Sequence, residues 1–277
     1  MRIFLGPAGI PLAAKGLGII EGIKKVKELG FHAMEIEFTH GIQVKNELAE
    51  KIGEESRRSG IKLSVHAPYF INLASVDPEK IKASEKRILA SCEKANLMNA
   101  SPVVFHPGYY GKYTPQETFE IIEQNILDII EKIKELGWKC KIAPETTGKK
   151  TQFGSLDELI MLLKEIGTEH ATICVDFAHL WARNGGKVNY KEVFEKLEEL
   201  KLDHIHSHFS QIEYNEKGER RHLTFDETMK NPPVEEVAKA ILESKKDITI
   251  ISESPVLEVD SLKMKKIFEK LGYEFNF

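Results

Sequence analysis

The chain of 277 residues has only three cysteines, Cys92, Cys140 and Cys174, and none stands in a CxxC pair. A disulfide framework and a cysteine-rich zinc site are therefore excluded as organising devices, and a reducing, cytoplasmic setting is expected. Cys140 and Cys174 fall inside apolar runs, where buried core thiols are expected. No apolar run approaches the roughly 18 residues of a membrane-spanning helix. The opening Met1-Arg2-Ile3-Phe4 carries no signal-peptide pattern. There is no GxGxxG and no P-loop, which argues against the common nucleotide folds. Positive charge is not in excess either. The 39 Lys and Arg are outnumbered by 43 Asp and Glu, for a net charge of −4. Any nucleic-acid contact is thus expected to be local rather than a general basic coat. Carboxylates committed to metal ions count as negative in that sum until the ions are added.

What is present is a regular alternation. Short β-branched runs at 2–5, 33–38, 62–66, 102–106, 140–145, 171–176, 203–208 and 248–253 read as strands. Amphipathic stretches near 18–29, 46–58, 78–97, 115–136, 155–166, 189–200, 233–243 and 260–270 read as the helices between them. Gly30, Gly60, Gly137, Gly167 and Gly272 mark helix stops, and Asp77-Pro78 and Thr114-Pro115 mark starts. Strict strand–helix alternation predicts a closed TIM (β/α)₈ barrel rather than an open doubly wound sheet. Such barrels commonly take about 250 residues as one unit, so residues 1–277 are expected to form a single domain.

The residues that end each strand carry the functional signal. Lys62-Leu63-Ser64-Val65 runs into His66, and Pro102-Val103-Val104-Phe105 into His106. Ile142-Ala143-Pro144 leads to Glu145. Thr172-Ile173-Cys174-Val175 leads to Asp176, with His179 three residues on along an outgoing loop. His204, His206 and His208 alternate along strand seven, and Ile250-Ile251-Ser252 leads to Glu253. In a barrel these ends form a ring about one mouth. Taken singly, such residues are often ordinary polar side chains, helix caps or ion-pair partners. Six successive strands ending in His, His, Glu, Asp, His and Glu are a different matter. Burying that many acids and imidazoles without cations is costly. The mixture suits zinc and related divalent ions, with manganese accepting overlapping ligands. On strand seven, alternate residues share a face about 6.5 Å apart, so its three histidines cannot be equidistant from one ion. His206 is expected to be the ligand, His204 a polar residue of the barrel interior, and His208 is left open.

These segments resemble endonuclease IV, the zinc-dependent apurinic/apyrimidinic endonucleases among the xylose-isomerase-like barrels. The carriers are Ser64-Val65-His66-Ala67-Pro68-Tyr69-Phe70-Ile71-Asn72-Leu73-Ala74, Phe105-His106-Pro107-Gly108, Glu145-Thr146-Thr147-Gly148 and Cys174-Val175-Asp176-Phe177-Ala178-His179, followed by His206 and Glu253. The resemblance implies a zinc cluster that hydrolyses DNA on the 5′ side of abasic sites, leaving a 3′-hydroxyl. It implies that His66, His106 and Glu145 hold one ion. Glu145, the catalytic residue, bridges to a second ion held also by Asp176, His206 and Glu253, while His179 and His222 hold a third. Tyr69 and Phe70 are the implied wedge that enters duplex DNA, with Lys112, Lys149, Lys150, Arg220 and Arg221 as candidate phosphate contacts. A monomer is expected, since a duplex must reach the open mouth.

Two departures stand out. Arg220 occupies the place of Asp in the family's Asp-x-His, with Glu219 or His208 as the available substitutes. The loop after strand two lacks the family's basic probe and offers His40 or Gln43 instead. The alternatives are a sugar isomerase or epimerase of the same superfamily, and a lesion-binding barrel that does not cleave.

Overall fold

Why the alternation closes on itself is visible in single elements. At the start of the helix Pro115–Glu135, Thr114 and Glu117 form a reciprocal capping box, and Pro115 takes the first helical position. Ile122, Ile126, Ile129 and Ile133 then bury one stripe at helical spacing. Each such side chain contributes about 1.5–3 kcal/mol when withdrawn from water, and the face opposite stays charged.

The computed structural model describes Met1–Asn276. Its wall begins with β1 (Ile3–Pro7), β2 (Ala33–Glu37), β3 (Lys62–His66) and β4 (Val103–Phe105). A short strand β5 (Gly108–Tyr109) follows, then wall strand β6 (Ile142–Pro144) and a second short strand β7 (Gln152–Phe153), which pairs antiparallel with β5. The wall resumes with β8 (Cys174–Asp176) and β9 (His204–Phe209). After β9 comes an antiparallel hairpin, β10 (Gln211–Asn215) and β11 (Gly218–Leu223), and β12 (Asp247–Ser252) completes the wall. The helices are α1 (Ile19–Glu28), α2 (Asn46–Ser59), α3 (Pro78–Met98), α4 (Pro115–Glu135), α5 (Leu156–Ile166), α6 (Phe177–Arg183), α7 (Tyr190–Leu197), α8 (Val234–Ser244) and α9 (Glu258–Lys270).

Two four-stranded parallel sheets, β1-β12-β9-β8 and β2-β3-β4-β6, make the wall. They join at two seams. At one, Ala8 bridges Glu35 and the His32 N–H donates to Leu5 O at 3.0 Å; at the other, Ile142 bridges Ala171 and Glu145 bridges Cys174. The first seam needs Gly6, since a Cβ there would lie 1.6 Å from Ala33 O. The expected (β/α)₈ barrel is the observed fold.

Three features were not expected: the β5–β7 pair, the β10–β11 hairpin and α6. Asp176 caps α6 by accepting the His179 N–H at 2.7 Å. His179 therefore sits in the first turn of a helix and not on an outgoing loop. All three cysteines are free and buried. No described helix is long and apolar enough to cross a membrane.

Candidate metal centre

All wall strands run parallel, so their carboxyl ends meet at one mouth, and Glu145 stands at its centre, fully buried. Its Oε2 lies 3.1 Å from His106 Nε2 and 3.3 Å from His66 Nε2. Its Oε1 lies 3.2 Å from both His179 Nδ1 and His208 Nδ1. Backbone carbonyls fix two of the rings. His66 Nδ1 donates to Ala67 O at 2.8 Å, so its Nε2 turns to Glu145. His179 Nδ1 donates to Thr146 O at 2.9 Å, and its buried Nε2 has no hydrogen-bond partner.

Three groups of mouth residues each bring their ligand atoms within 4.8 Å of one another: His66–His106–Glu145, Glu145–Asp176–His208–Glu253 and His179–His222–Glu253. The set fits divalent cations on two physical grounds. Asp176 Oδ2 and His179 Nε2 are buried without hydrogen-bond partners, a cost that a cation would remove. The charge is also unbalanced. Burial pushes the Glu253 carboxyl well up against the pull of His208, and the neighbouring charges of Glu145 and Asp176 add to it. Burial acts on Glu145 in the same sense, yet His208 and His106 hold its carboxyl well below the ordinary range. Against burial, the hydrogen bond that His66 donates to Glu145 and the charges of Glu37 and Glu145 bring His66 up to about 10.

The expected ligands His66, His106, Glu145, Asp176, His179, His222 and Glu253 all converge on this mouth. His206 does not. In the parallel β8–β9 register His208 stands level with Asp176, and His206 level with Cys174, one layer down. The mouth group with Asp176 thus contains His208, where His206 was expected. A further group of ligand atoms, from Cys174, His206 and His208, lies in that lower layer. There the carboxylate of Glu35 already faces both rings, with Oε2 3.1 Å from His206 Nε2 and Oε1 2.8 Å from His208 Nε2. Ser64 Oγ donates to the same Oε2 at 2.6 Å. Burial would raise Glu35, but His208 and His206 hold it below the ordinary carboxylate range.

Strand-end reading misses Glu35 and Glu37. Their signal is available in the sequence: two acids spaced by two in the apolar run Ala33–Phe38 point to the barrel interior. Glu37 ends β2 beside His66 in register, and its Oε1 is buried without a hydrogen-bond partner. Burial raises its carboxyl to about 7, with His66 opposing.

The rim differs in character. Tyr69 and Phe70, just past β3, are 57% and 72% exposed, and the Tyr69 ring leans on His66 with centroids 5.9 Å apart. Lys112, Lys149 and Lys150 are exposed on the loops around it. Arg220 and Arg221 are exposed too, but both pair with Glu213. His40 lies against the Tyr69 ring at 6.3 Å.

The family model described as the xylose isomerase-like TIM barrel matches residues 23–268. An uncharacterised protein of Methanocaldococcus jannaschii is 35% identical over 98% of both chains. A probable endonuclease 4 of Mycoplasmopsis synoviae is 30% identical over 70% of this chain and 69% of its own. Among solved structures, endonuclease IV of Thermus thermophilus superposes with a TM-score of 0.68 at 18% identity, covering 98% of each chain. A D-tagatose 3-epimerase-like protein superposes at 0.70 and 22% identity, covering 98% and 96%. At those identities the two structures speak for the fold alone.

Proposed function

The chain belongs to the xylose isomerase-like TIM-barrel family, and from that premise we propose that it is a zinc-dependent endonuclease cutting duplex DNA 5′ to abasic sites. One observation carries the reading: eight His and carboxylate side chains converge at an open mouth whose rim holds two exposed aromatics. His66, His106 and Glu145 hold one ion, and Glu145, Asp176, His208 and Glu253 hold a second; manganese can replace zinc on such ligands. Divalent ions bound there would supply an activated water and offset the charge of the phosphate.

The chain's own residues do the rest. Glu145 spans both ligand groups with its two oxygens, and so orients the attacking water between them. The water oxygen bonds to phosphorus and the P–O3′ bond breaks, which leaves a 3′-hydroxyl. Tyr69 and Phe70 enter the duplex and fill the space beside the abasic nucleotide. Lys112, Lys149 and Lys150 contact phosphates and fix the register of the duplex. The reading includes a cytoplasmic monomer, since the mouth must stay open to DNA.

One assay tests it. The zinc-loaded protein is given a duplex with one tetrahydrofuran abasic analogue and the products are resolved by length. A single cut 5′ to the analogue is expected. Binding without a cut would point to a lesion-binding barrel, and neither binding nor cutting would reject the reading. A sugar epimerase is the second reading, favoured by the extra carboxylate of Glu37 beside His66. Turnover of a ketohexose without any cut in DNA would select it.

A further inference from the structure

The segment that follows Glu145 is held against one face of α6. His179 Nδ1 donates to Thr146 O at 2.9 Å, and the Asp176 N–H donates to Thr146 Oγ1 at 2.8 Å. Arg183 stands one turn beyond His179 on the same face, and its side chain is only 12% exposed. The hydrogens of its Nη1 are shared among Thr147 Oγ1 at 3.1 Å, Lys149 O at 2.7 Å and Gln152 O at 2.9 Å. Its Nη2 donates to the Tyr110 hydroxyl at 3.1 Å, which in turn donates to Glu158 Oε1 at 2.7 Å.

The Gln152 N–H donates to Lys149 O at 3.1 Å, so Lys149–Gln152 is a tight turn. The guanidinium fills its inner side, while Lys149 and Lys150 are exposed on it. The Lys150 N–H donates to Lys217 O of the hairpin at 3.2 Å, which anchors the turn from its other side. An ordinary ion pair does not account for Arg183. The Glu158 carboxylate is 3.9 Å away and already takes the N–H and Oγ of Ser155 at 2.8 and 2.7 Å. The cation is thus spent mainly on uncharged oxygens of the turn, which suits the planar fork of arginine and not the point charge of lysine.

We propose that Arg183 is a positioning residue for duplex binding, one that locks the Lys149–Gln152 turn so that Lys149 and Lys150 meet phosphates at a fixed distance from the metal centre. The link to that centre is α6 itself, which has Asp176 as its N-cap and Arg183 in its last turn. The inference rests on the endonuclease reading above and adds a residue that touches neither DNA nor metal.

Cutting of the abasic-analogue duplex, measured at steady state from about 50 to 200 mM salt, tests it. Replacing both lysines by alanine should make log KM less steep in log salt by about 1.8, since each phosphate contact contributes about 0.9. Arg183→Met, with both lysines intact, should lose about 1 or more of that slope. Its KM should rise while kcat changes by less than about twofold, because binding and not chemistry is touched. Combining Arg183→Met with the two alanines should add almost nothing to the alanines alone. Arg183→Lys keeps a cation but loses the fork, so it should show the same loss in smaller measure, and it takes the place of Arg183→Met if that variant does not fold. A normal cut by wild type, with the slope unmoved by either Arg183 variant, or with a loss that falls on kcat or adds in full to that of the alanines, would overturn the inference and leave the endonuclease standing. Neither binding nor cutting by wild type would overturn both.

Discussion

One strand carries histidine at the mouth and at the floor of the barrel, and the two behave oppositely. His208, at the mouth end of β9, lies 2.8 Å from Glu35, 3.2 Å from Glu145 and 3.4 Å from Glu253. Burial opposes its charge, but these carboxylates and the Cys174 side chain favour it, and its pKa rises well above the ordinary value. His204 opens the same strand at the floor, where its Nε2 meets Thr249 Oγ1 at 2.8 Å and its ring packs on Phe4 at 5.7 Å. Burial and the charge of Lys62 push it down to about 3. The residue type is the same and the face is the same. What differs is the supply of carboxylates, and that makes the mouth a place for cations and the floor a place for a neutral polar filler.

The contrast breaks most severely if the central carboxylate goes. Glu145→Gln removes the group that both mouth sites share, so zinc binding at those sites and cleavage at the abasic analogue should fall together. The expected rate loss is at least about 10³-fold. The metal-free variant should still unfold cooperatively in denaturant, because the floor and the helices do not depend on Glu145. A variant that keeps both ions would mean that Glu145 is not their bridge.

A smaller effect is expected from the layer between. Glu35 touches His208 on the side away from the mouth, and so sets which way that ring presents its other nitrogen. Glu35→Gln keeps the shape and removes the charge. Zinc affinity at the site holding His208 should drop by roughly 10–100-fold, with the His66–His106 site little changed. Equal loss at both sites would show a general loosening of the barrel instead. Cobalt substitution provides a second readout, since a reoriented His208 would alter the absorption of that site alone.

Barrel closure and most of the mouth were legible in the sequence, because both follow from short-range rules. Strand–helix alternation needs only local periodicity, and a residue just past a barrel strand must end up at the mouth. His206 shows where that reasoning stops. Period two puts His204, His206 and His208 on one face but does not say which is level with Asp176; inter-strand register decides that. No local pattern announces a seven-residue helix, so His179 reads as a loop residue and its cap, Asp176, reads only as a ligand. Glu35 and Glu37 are written plainly in strand two, and reading strand ends alone passes over them.

The smallest expected effect lies at the floor, and it follows from proton linkage. His204 binds a proton at an ordinary pKa of 6.5 when unfolded and at about 3 when folded. Its contribution to stability is therefore fully present above pH 6.5 and is lost as the pH falls toward 3, where the unfolded chain binds more protons. In metal-free protein, His204→Asn should flatten this acid limb relative to wild type, with the two profiles running parallel above about pH 7. Urea unfolding at a series of pH values between about 4 and 8 measures the difference directly. Parallel profiles across the whole range would mean that His204 is not held neutral, and the contrast between floor and mouth would then rest on the mouth alone.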